Sequence, residues 1–338
     1  MPARIPDTEI FGTLDESRRL LARLVNCSKE EIALMPNTSH GINLAANSLP
    51  LHMGDVVLTF EKEFPANVYP WMALADRGIE LRFIPCVKGL PDEARLMDAL
   101  DDKRVRAVAV SWVSFSSGYR VDLERLGNEC RSRGIFLAVD GIQGLGALRL
   151  DLSELKIDIF ANGCQKWLLS PWGTGFVYVR KELIPELRPR NVGWLAYKGS
   201  EDFSNLTSYN AELRDDARRF EVGSHGLQDY AALNASLGLF LELGPAAIEE
   251  YIERLAGLVS DWAGAGKGVT LLSPTESSRR AGVLSLGVER PAAIADVLRE
   301  EGIACSVREG SIRLSTHFYN TEEELRRVFE TILRASTT

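Results

Sequence analysis

Apolar positions along the first 180 residues alternate between two spacings, one typical of helices and one typical of buried strands. From Asp15 to Val25 they recur every three or four residues, which predicts an amphipathic helix. From Ile135 to Val139 every residue is apolar, as in a strand covered on both faces. The same patterns predict helices over 39–49, 65–77, 91–100 and 122–133, and strands over 31–35, 56–60, 79–84, 105–112, 157–160 and 176–179. This alternation predicts an α/β sandwich around a mainly parallel sheet with crossover helices.

The pattern changes after residue 179. Prolines and glycines predict a loop as far as residue 208, and a long apolar helix is predicted over 228–243, ending at Gly244-Pro245. The remainder predicts helices over 246–262, 292–301 and 321–335, and strands near 269–272, 282–288, 303–307 and 311–315. We therefore predict two domains, a large α/β domain over residues 1–245 and a smaller C-terminal α+β domain over residues 246–338.

Composition narrows the class of protein. The 338 residues include 45% hydrophobic and 25% charged residues, as is ordinary for a soluble globular enzyme. A net charge of −8 without a basic stripe argues against a nucleic-acid partner. No run of about 18 apolar residues predicts a membrane span, and the N-terminus lacks the apolar stretch of a signal peptide. We expect a cytoplasmic protein that interacts with neither nucleic acid nor membrane.

Cysteine and histidine spacings point away from metals and disulfides. The five cysteines are scattered and form no Cys-x-x-Cys pair, so we expect reduced thiols. The four histidines show no ligand spacing, and no metal site is predicted.

Lys166 and Asp140 stand out because each follows a predicted strand. Side chains at the carboxyl ends of neighbouring parallel strands share a crevice above the sheet. There a lysine amine can form a Schiff base with a carbonyl, and a buried aspartate can hold a protonated ring nitrogen. Each residue alone is more commonly a solvated lysine or a turn aspartate. Together they are what pyridoxal 5'-phosphate requires.

Other polar and aromatic residues also fall at predicted strand ends. Thr38 and Ser39 begin a helix, where they cap its N-terminus or hold a phosphate. Phe64 either stacks on a flat ring or belongs to the core. Gln143 lies three residues past Asp140, within reach of a ring oxygen. Arg313 lies in a predicted strand, as a surface arginine or as a bidentate carboxylate ligand.

Seven motifs carry a family resemblance. They are Asn-Thr-Ser-His-Gly-Ile-Asn (37–43), Glu-Phe-Pro-Ala-Asn-Val-Tyr-Pro-Trp (63–71), Ser-Phe-Ser-Ser-Gly-Tyr-Arg-Val-Asp-Leu (114–123), Val-Asp-Gly-Ile-Gln (139–143), Gln-Lys-Trp (165–167), Arg-Phe-Glu-Val-Gly-Ser (219–224) and Arg-Leu-Ser-Thr-His-Phe-Tyr-Asn-Thr (313–321). In this order the chain resembles the class V aminotransferases, which include cysteine desulfurases, selenocysteine lyase, isopenicillin N epimerase-like proteins and kynureninase. The resemblance spans about residues 15–335. It implies fold type I of the pyridoxal-phosphate-dependent transferases.

The resemblance implies a role for each candidate residue. Lys166 would bind the cofactor as a Schiff base and move protons at the substrate Cα. Asp140 would pair with the pyridine nitrogen, Gln143 would contact the ring hydroxyl, and Arg313 would bind the α-carboxylate of an amino-acid substrate. The phosphate would be held by Thr38, Ser39, Gln165 and, from the neighbouring subunit, Ser224. A homodimer with shared active sites is therefore implied.

Departures from the desulfurase pattern bear on the reaction. Phe64 replaces the ring-stacking histidine, and Phe115 replaces an asparagine beside the ring. The segment before Arg313 is short, and Cys305 precedes Val-Arg-Glu-Gly, whereas a persulfide-forming cysteine would follow it. We therefore expect transamination or epimerisation through a Cα carbanion. The alternatives are a C–S lyase or desulfurase, and a catalytically silent regulator that only binds the cofactor.

Overall fold

The computed structural model describes residues 5–266 and 268–337. Up to residue 180 its strands are β1 (Ile32–Leu34), β2 (Val56–Phe60), β3 (Glu80–Ile84), β4 (Cys86–Val87), β5 (Leu90–Pro91), β6 (Val105–Ser111), β7 (Phe136–Asp140), β8 (Ile159–Gly163) and β9 (Gly175–Val179). The helices as far as residue 243 are α1 (Asp7–Val25), α2 (Thr38–Ser48), α3 (Tyr69–Met72), α4 (Glu93–Ala99), α5 (Leu123–Ser132) and α6 (Leu227–Leu243). Strands β4 and β5 form a separate two-stranded sheet.

Seven of these strands form the central sheet, in the order β1-β9-β8-β7-β6-β2-β3. The pairs β3-β2, β2-β6, β6-β7 and β7-β8 are parallel, whereas β9 runs antiparallel to both of its neighbours. The predicted mainly parallel α/β sheet is confirmed. In register, Ser111 lies opposite Asp140, and Asp140 lies opposite Ala161. The carboxyl ends of β6, β7 and β8 therefore meet at one edge, as ligand sites in such sheets require.

Side-chain size differs between the two faces of this sheet. Val108, Val110 and Val139 lie in the core that also contains residues of α1, α5 and α6. Alanines occupy the alternate positions and face α2. At the crossing point a Cβ on Gly41 would lie only 2.6 Å from the Cβ of Ala161. The small residues therefore let α2 approach β8 closely, which brings the N-terminus of α2 to the edge of the sheet.

Two predicted helix ranges differ from the structure. The predicted helix over 65–77 is wrong, because the segment divides into 3-10 turns at Pro65–Asn67 and Ala73–Arg77 around the short α3. Val68 has φ −120° and ψ −57°, and Pro70 lacks a backbone N–H, so no regular helix continues through them. Helix α1 begins at Asp7 rather than Asp15, with Asp7 and Glu9 placing negative charge in its first turn.

The C-terminal region, residues 245–266 and 268–337, has its own sheet and core and is called the small domain below. Its elements are α7 (Pro245–Gly264), β10 (Thr270–Leu271), β11 (Val283–Gly287), α8 (Pro291–Glu300), β12 (Ser306–Arg308), β13 (Ser311–Ser315) and α9 (Glu322–Thr337). The strands form an antiparallel sheet in the order β10-β11-β13-β12. The predicted boundary at residue 245 falls where α6 and α7 meet at an angle of 80°. The first turns of α7 still pack on the large core, through Ile248 and Ile252.

Helix length and apolarity bear on membrane crossing. Within the described residues, no single helix is long and apolar enough to span a membrane. The bent pair α6 and α7 meets that criterion only when its two helices are taken together, by length and composition.

Candidate active site

Asp140 is the last residue of β7 and is only 2% exposed. Its Oδ1 accepts a hydrogen bond of 2.9 Å from the backbone N–H of Ile142. Burial raises the pKa of this carboxyl to about 6, against the opposing effects of the Ile142 bond and the charge of Lys166. A carboxylate whose burial is so weakly compensated is suited to pair with a cation.

Lys166 lies in the turn that follows β8, the strand next to β7. Burial holds its pKa below the usual value, and the positive charges of Arg313 and Arg308 act in the same direction, whereas Asp140 opposes them. A lysine with a lowered pKa is more often neutral and therefore a better nucleophile. Asp140 and Lys166 are therefore close enough for their charges to act on each other, above the carboxyl ends of β7 and β8.

An aromatic wall lines the crevice beside Lys166. The Nζ of Lys166 lies 5.6 Å from the centre of the Phe64 ring. Phe64 in turn packs edge-on against Phe115, with 5.4 Å between ring centres. Since Phe64 is 42% exposed, it is not a core residue, and its ring is available to cover a flat ligand.

Arg313 reaches the same place from the small domain. It lies on β13, and its Nη1 donates a hydrogen bond of 2.8 Å to the carbonyl oxygen of Phe115. Its Nε is buried and has no hydrogen-bond partner among the described residues. Burial, with the nearby charge of Arg308, lowers its pKa. A buried donor without a partner makes this guanidinium suited to an anionic ligand.

Gln143 is oriented by Trp167. The buried Oε1 of Gln143 accepts a hydrogen bond of 3.0 Å from Trp167 Nε1, which leaves the amide NH2 of Gln143 as a donor. Trp167 stacks on His317, with ring centres 5.2 Å apart, and its carbonyl oxygen lies 3.0 Å from His317 Nε2. Trp167, the residue after Lys166, therefore connects the turn that carries Lys166 with the small domain.

Thr38 and Gln165 lie together where α2 meets the end of β8. The N-cap of α2 is Asn37, whose side chain accepts from the N–H of His40, so capping by Thr38 or Ser39 is not what the structure shows. The Thr38 hydroxyl accepts a bond of 2.8 Å from the N–H of Gly163. A Cβ on Gly163 would lie 2.5 Å from Gln165 Oε1 and 3.1 Å from Thr38 Oγ1.

The other two residues predicted to bind the phosphate, Ser39 and Ser224, lie in different parts of the structure. Ser39 is exposed on the first turn of α2, beside Thr38. Ser224 is also exposed, in the segment between the 3-10 turn Ala217–Phe220 and α6, and its side chain makes no hydrogen bond within the described residues. The structure therefore brings Thr38, Ser39 and Gln165 together, whereas Ser224 forms no side-chain hydrogen bond with them among the described residues.

Glu63 is a residue that sequence reasoning missed. Its carboxylate accepts from the backbone N–H of Ser111, at 2.7 Å, and from the Ser111 hydroxyl. Burial raises its pKa to about 7, and the charge of Asp140 adds to this effect. These bonds hold the loop that carries Phe64 against the end of β6. The available signal was its position, directly before Phe64 in the 63–71 motif.

Cys305 lies directly before β12. The strand predicted near 303–307 is therefore present, but it begins at Ser306 and does not include Cys305. Its side chain is partly buried and packs against the small-domain core. Burial raises the pKa of this thiol, so the reactive thiolate is disfavoured.

The chain is similar to known proteins along nearly its whole length. A family model described as aminotransferase class-V matches residues 7–328. The "Uncharacterized aminotransferase YcbU" of Bacillus subtilis is 28% identical over 96% of this chain and 84% of its own length. Isopenicillin N epimerase of Streptomyces clavuligerus is 29% identical over 96% of this chain and 85% of its own length.

Solved structures show the same architecture. The cystine C-S lyase C-DES, in complex with its product cysteine persulfide, is 26% identical, with a TM-score of 0.88 over 96% of this chain and 87% of that one. A mutant of C-DES has glycine covalently linked to pyridoxal phosphate, at 25% identity. The apo cysteine desulfurase of Thermococcus onnurineus, at 24% identity and a TM-score of 0.87, shares the fold and covers 97% of this chain and 84% of that one.

The crevice fits pyridoxal phosphate on its own geometry. The first turn of α2 presents Thr38 and Ser39 at the positive end of a helix, beside Gln165, as a phosphate requires. Asp140 and Lys166 supply a buried carboxylate and an amine of lowered pKa. The NH2 of Gln143 supplies a donor for a ring oxygen. The residues present therefore suit a ligand with a phosphate, a basic ring nitrogen and a carbonyl.

Proposed function

We propose that this chain, which belongs to the class V aminotransferase family of pyridoxal-phosphate-dependent enzymes, acts on a free α-amino acid. The proposed reaction moves the proton at the Cα of this amino acid, by transamination or epimerisation. The observation that carries this proposal is Arg313. Its guanidinium has a buried donor without a described partner, and its charge acts on Lys166. A carboxylate bound there would place an amino group and Cα near the Lys166 amine.

The cofactor and the protein have separate tasks. Pyridoxal phosphate, when bound, supplies the electron sink that makes an α-proton acidic. Asp140 would hold the proton on the ring nitrogen through a buried charge pair. The Lys166 amine would bind the cofactor carbonyl and then take and return the proton at Cα. Gln143 would donate to the ring oxygen, and Thr38, Ser39 and Gln165 would bind the phosphate.

The surroundings of Cys305 support transamination or epimerisation over persulfide chemistry. Persulfide formation needs a thiolate on a segment that reaches the substrate. Cys305 packs against the small-domain core, and the connection between β12 and β13 consists of Glu309 and Gly310 alone. Such a tight hairpin has no mobile loop that could carry a thiol to the crevice.

A C–S lyase is the second candidate. The observation that favours it is the likeness to the cystine C-S lyase C-DES, at 26% identity and a TM-score of 0.88. A lyase of this kind releases its leaving group without a cysteine of its own, so the position of Cys305 does not bear on it.

A homodimer with shared active sites is part of the proposal. Its support is the exposed Ser224, for which the described chain provides no partner. The segment before it carries exposed apolar side chains, with Trp194 39%, Phe203 45% and Val222 47% exposed. Exposed apolar surface of this kind is typical of protein interfaces.

The test is to incubate the enzyme loaded with pyridoxal phosphate with single amino acids and to follow three products. Conversion of the cofactor to its amine form supports transamination, and loss of optical purity supports epimerisation. Release of sulfide from cysteine, or of cysteine persulfide from cystine, that persists in Cys305→Ser supports the lyase. Sulfide release that disappears in Cys305→Ser would contradict the proposal and establish a desulfurase.

A further inference from the structure

The small-domain sheet has one apolar and one polar face. Leu284, Leu286, Ile312 and Leu314 belong to the small-domain core. The alternate positions of β12 and β13 form the opposite face and are polar, as is Ser285 on β11. In register, Ser285 lies opposite Arg313, and Arg308 lies opposite Ser311. Arg308 and Arg313 are therefore diagonal neighbours on the polar face, about 7–8 Å apart in such pairs.

Neither arginine has a carboxylate partner among the described residues. Arg308 Nη1 donates to the carbonyl oxygen of Val307 at 2.9 Å, and Arg313 Nη1 donates to that of Phe115 at 2.8 Å. Three arginines on the small-domain helices differ, since Arg254, Arg299 and Arg326 pair with carboxylates. Two guanidiniums on one face are thus left with unused donors.

The charges of Arg308 and Arg313 act on groups of the candidate active site. Arg308 and Arg313 each contribute to the lowered pKa of Lys166, and Arg308 also lowers the pKa of Arg313. The acidic groups on neighbouring elements are Asp140 and Glu63, and Glu309, which follows Arg308 in the hairpin, forms no ion pair among the described residues. Asp140 is assigned to the ring nitrogen, and Glu63 is bonded to Ser111. The positive charge of the substrate side of the crevice is therefore left for the substrate to neutralise.

We propose that Arg308 is a second anion-binding residue, and that the preferred substrates are α-amino acids whose side chain ends in a carboxylate. Arg313 would bind the α-carboxylate and Arg308 the distal one, at a spacing that a chain of a few carbons can bridge. This inference rests on the proposed function, because it needs an amino acid bound through Arg313. Arg308 is exposed, so side chains of different length could reach it.

The inference is tested by binding of unreactive acids to the enzyme loaded with pyridoxal phosphate. Calorimetry compares glutarate with pentanoate, which have the same number of carbons and differ in the second carboxylate. A charge-assisted contact with Arg308 should make glutarate bind about tenfold more tightly than pentanoate. Arg308→Gln should abolish this ratio, and Arg308→Lys should keep part of it. Arg326→Gln, which also removes one positive charge from the small domain, should leave the ratio unchanged.

A matched pair of amino acids extends the test to turnover. The ratio of kcat/KM for glutamate to that for norvaline should exceed one in the wild type and fall about tenfold in Arg308→Gln. Equal affinity for glutarate and pentanoate in the wild type would overturn the inference, as would a ratio that survives Arg308→Gln or falls equally in Arg326→Gln. The proposed function fails separately, if no amino acid of either kind exchanges its α-proton.

Discussion

Asp140 makes the stability of the folded chain depend on pH. Its pKa of about 6 lies above the usual 3.8, so the folded chain holds this proton more tightly than the unfolded chain does. Stability from this group is present at low pH and is lost as pH rises from about 4 to about 6. At about 1.4 kcal/mol per pKa unit, the loss is roughly 3 kcal/mol. A protonated ring nitrogen beside the carboxylate would restore it.

We therefore expect pyridoxal phosphate to raise Tm more at pH 8 than at pH 5. Differential scanning fluorimetry of the protein with and without cofactor measures this difference. Asp140→Asn should weaken the pH dependence, leaving the contribution of Glu63, whose pKa is about 7. An increase in Tm with the same pH profile in wild type and Asp140→Asn would contradict a charge pair at Asp140.

Trp167 should tune the cofactor through Gln143. Trp167→Phe keeps an aromatic ring against His317 but removes the N–H that holds Gln143 Oε1. Because one hydrogen bond contributes about 0.5–1.5 kcal/mol, cofactor affinity should fall up to about tenfold. The cofactor absorbance maximum should shift, and Tm without cofactor should also fall, because Trp167 is only 4% exposed and the smaller ring leaves a cavity. A shift in Gln143→Ala but none in Trp167→Phe would show that Trp167 does not orient Gln143.

Sequence patterns identify some of the residues of the candidate site and miss others. Lys166, Asp140 and Arg313 were predictable because each pairs a chemically distinctive side chain with a strand or strand end. Glu63 and His317 were not, because their roles depend on partners far away in the chain, Ser111 and Trp167. The cap of α2 was also missed, since Asn37, Thr38 and Ser39 are all good capping residues and only the backbone decides among them.

At the scale of elements, α1 is attached to the rest of the chain by a buried charge cluster. Arg18 binds Glu221 through both carboxylate oxygens, at 2.7 Å. Glu221 also accepts from His225 Nε2 and from the N–H of Leu34. Burial alone would raise the pKa of Glu221, but Arg18 and His225 outweigh it and lower the pKa to about 2. The cluster fixes the 219–224 segment against α1 and β1.

Breaking this cluster should be costly. Arg18→Met leaves the Glu221 carboxylate buried without its main partner, which typically costs about 3–5 kcal/mol. Arg19→Met on the same helix removes only an exposed pair with Glu16 and should change stability little. Urea unfolding at pH 7 measures both variants. Because the pKa of Glu221 is lowered, its contribution is present above about pH 4.5 and is lost towards pH 2, so the deficit of Arg18→Met should shrink in acid. Equal deficits for the two variants would contradict the cluster.

The spacing of apolar residues predicted most helices and strands, and local features of the chain account for the elements that differ from the prediction. Apolar runs such as 135–139 predicted strands correctly, since burial on both faces leaves a continuous apolar signature. The segment 65–77 has a helical spacing of apolar residues, but its two prolines and the turn at Val68 divide it. The antiparallel direction of β9 was not predictable, because a loop after β8 carries no signature of strand direction.

At the scale of the whole molecule, a shared active site predicts complementation between inactive subunits. Lys166→Ala removes the amine, and Ser224→Asp places a negative charge where the partner's phosphate would bind. Co-expression should form mixed dimers with one intact site each, giving about a quarter of wild-type activity by symmetry. Either variant alone should be inactive. Full cofactor affinity in a protein that sediments as a monomer would contradict the shared site.

The central claim is that Lys166 moves the proton at Cα of an amino acid bound through Arg313. The most direct measurement is exchange of the α-proton for deuterium, followed by NMR of amino acids incubated in D2O with enzyme and pyridoxal phosphate. We predict exchange in the wild type, loss of several orders of magnitude in Lys166→Ala, and normal exchange in Cys305→Ser. Undiminished exchange in Lys166→Ala, or none with any amino acid in wild-type enzyme that carries its cofactor on Lys166, would contradict the account.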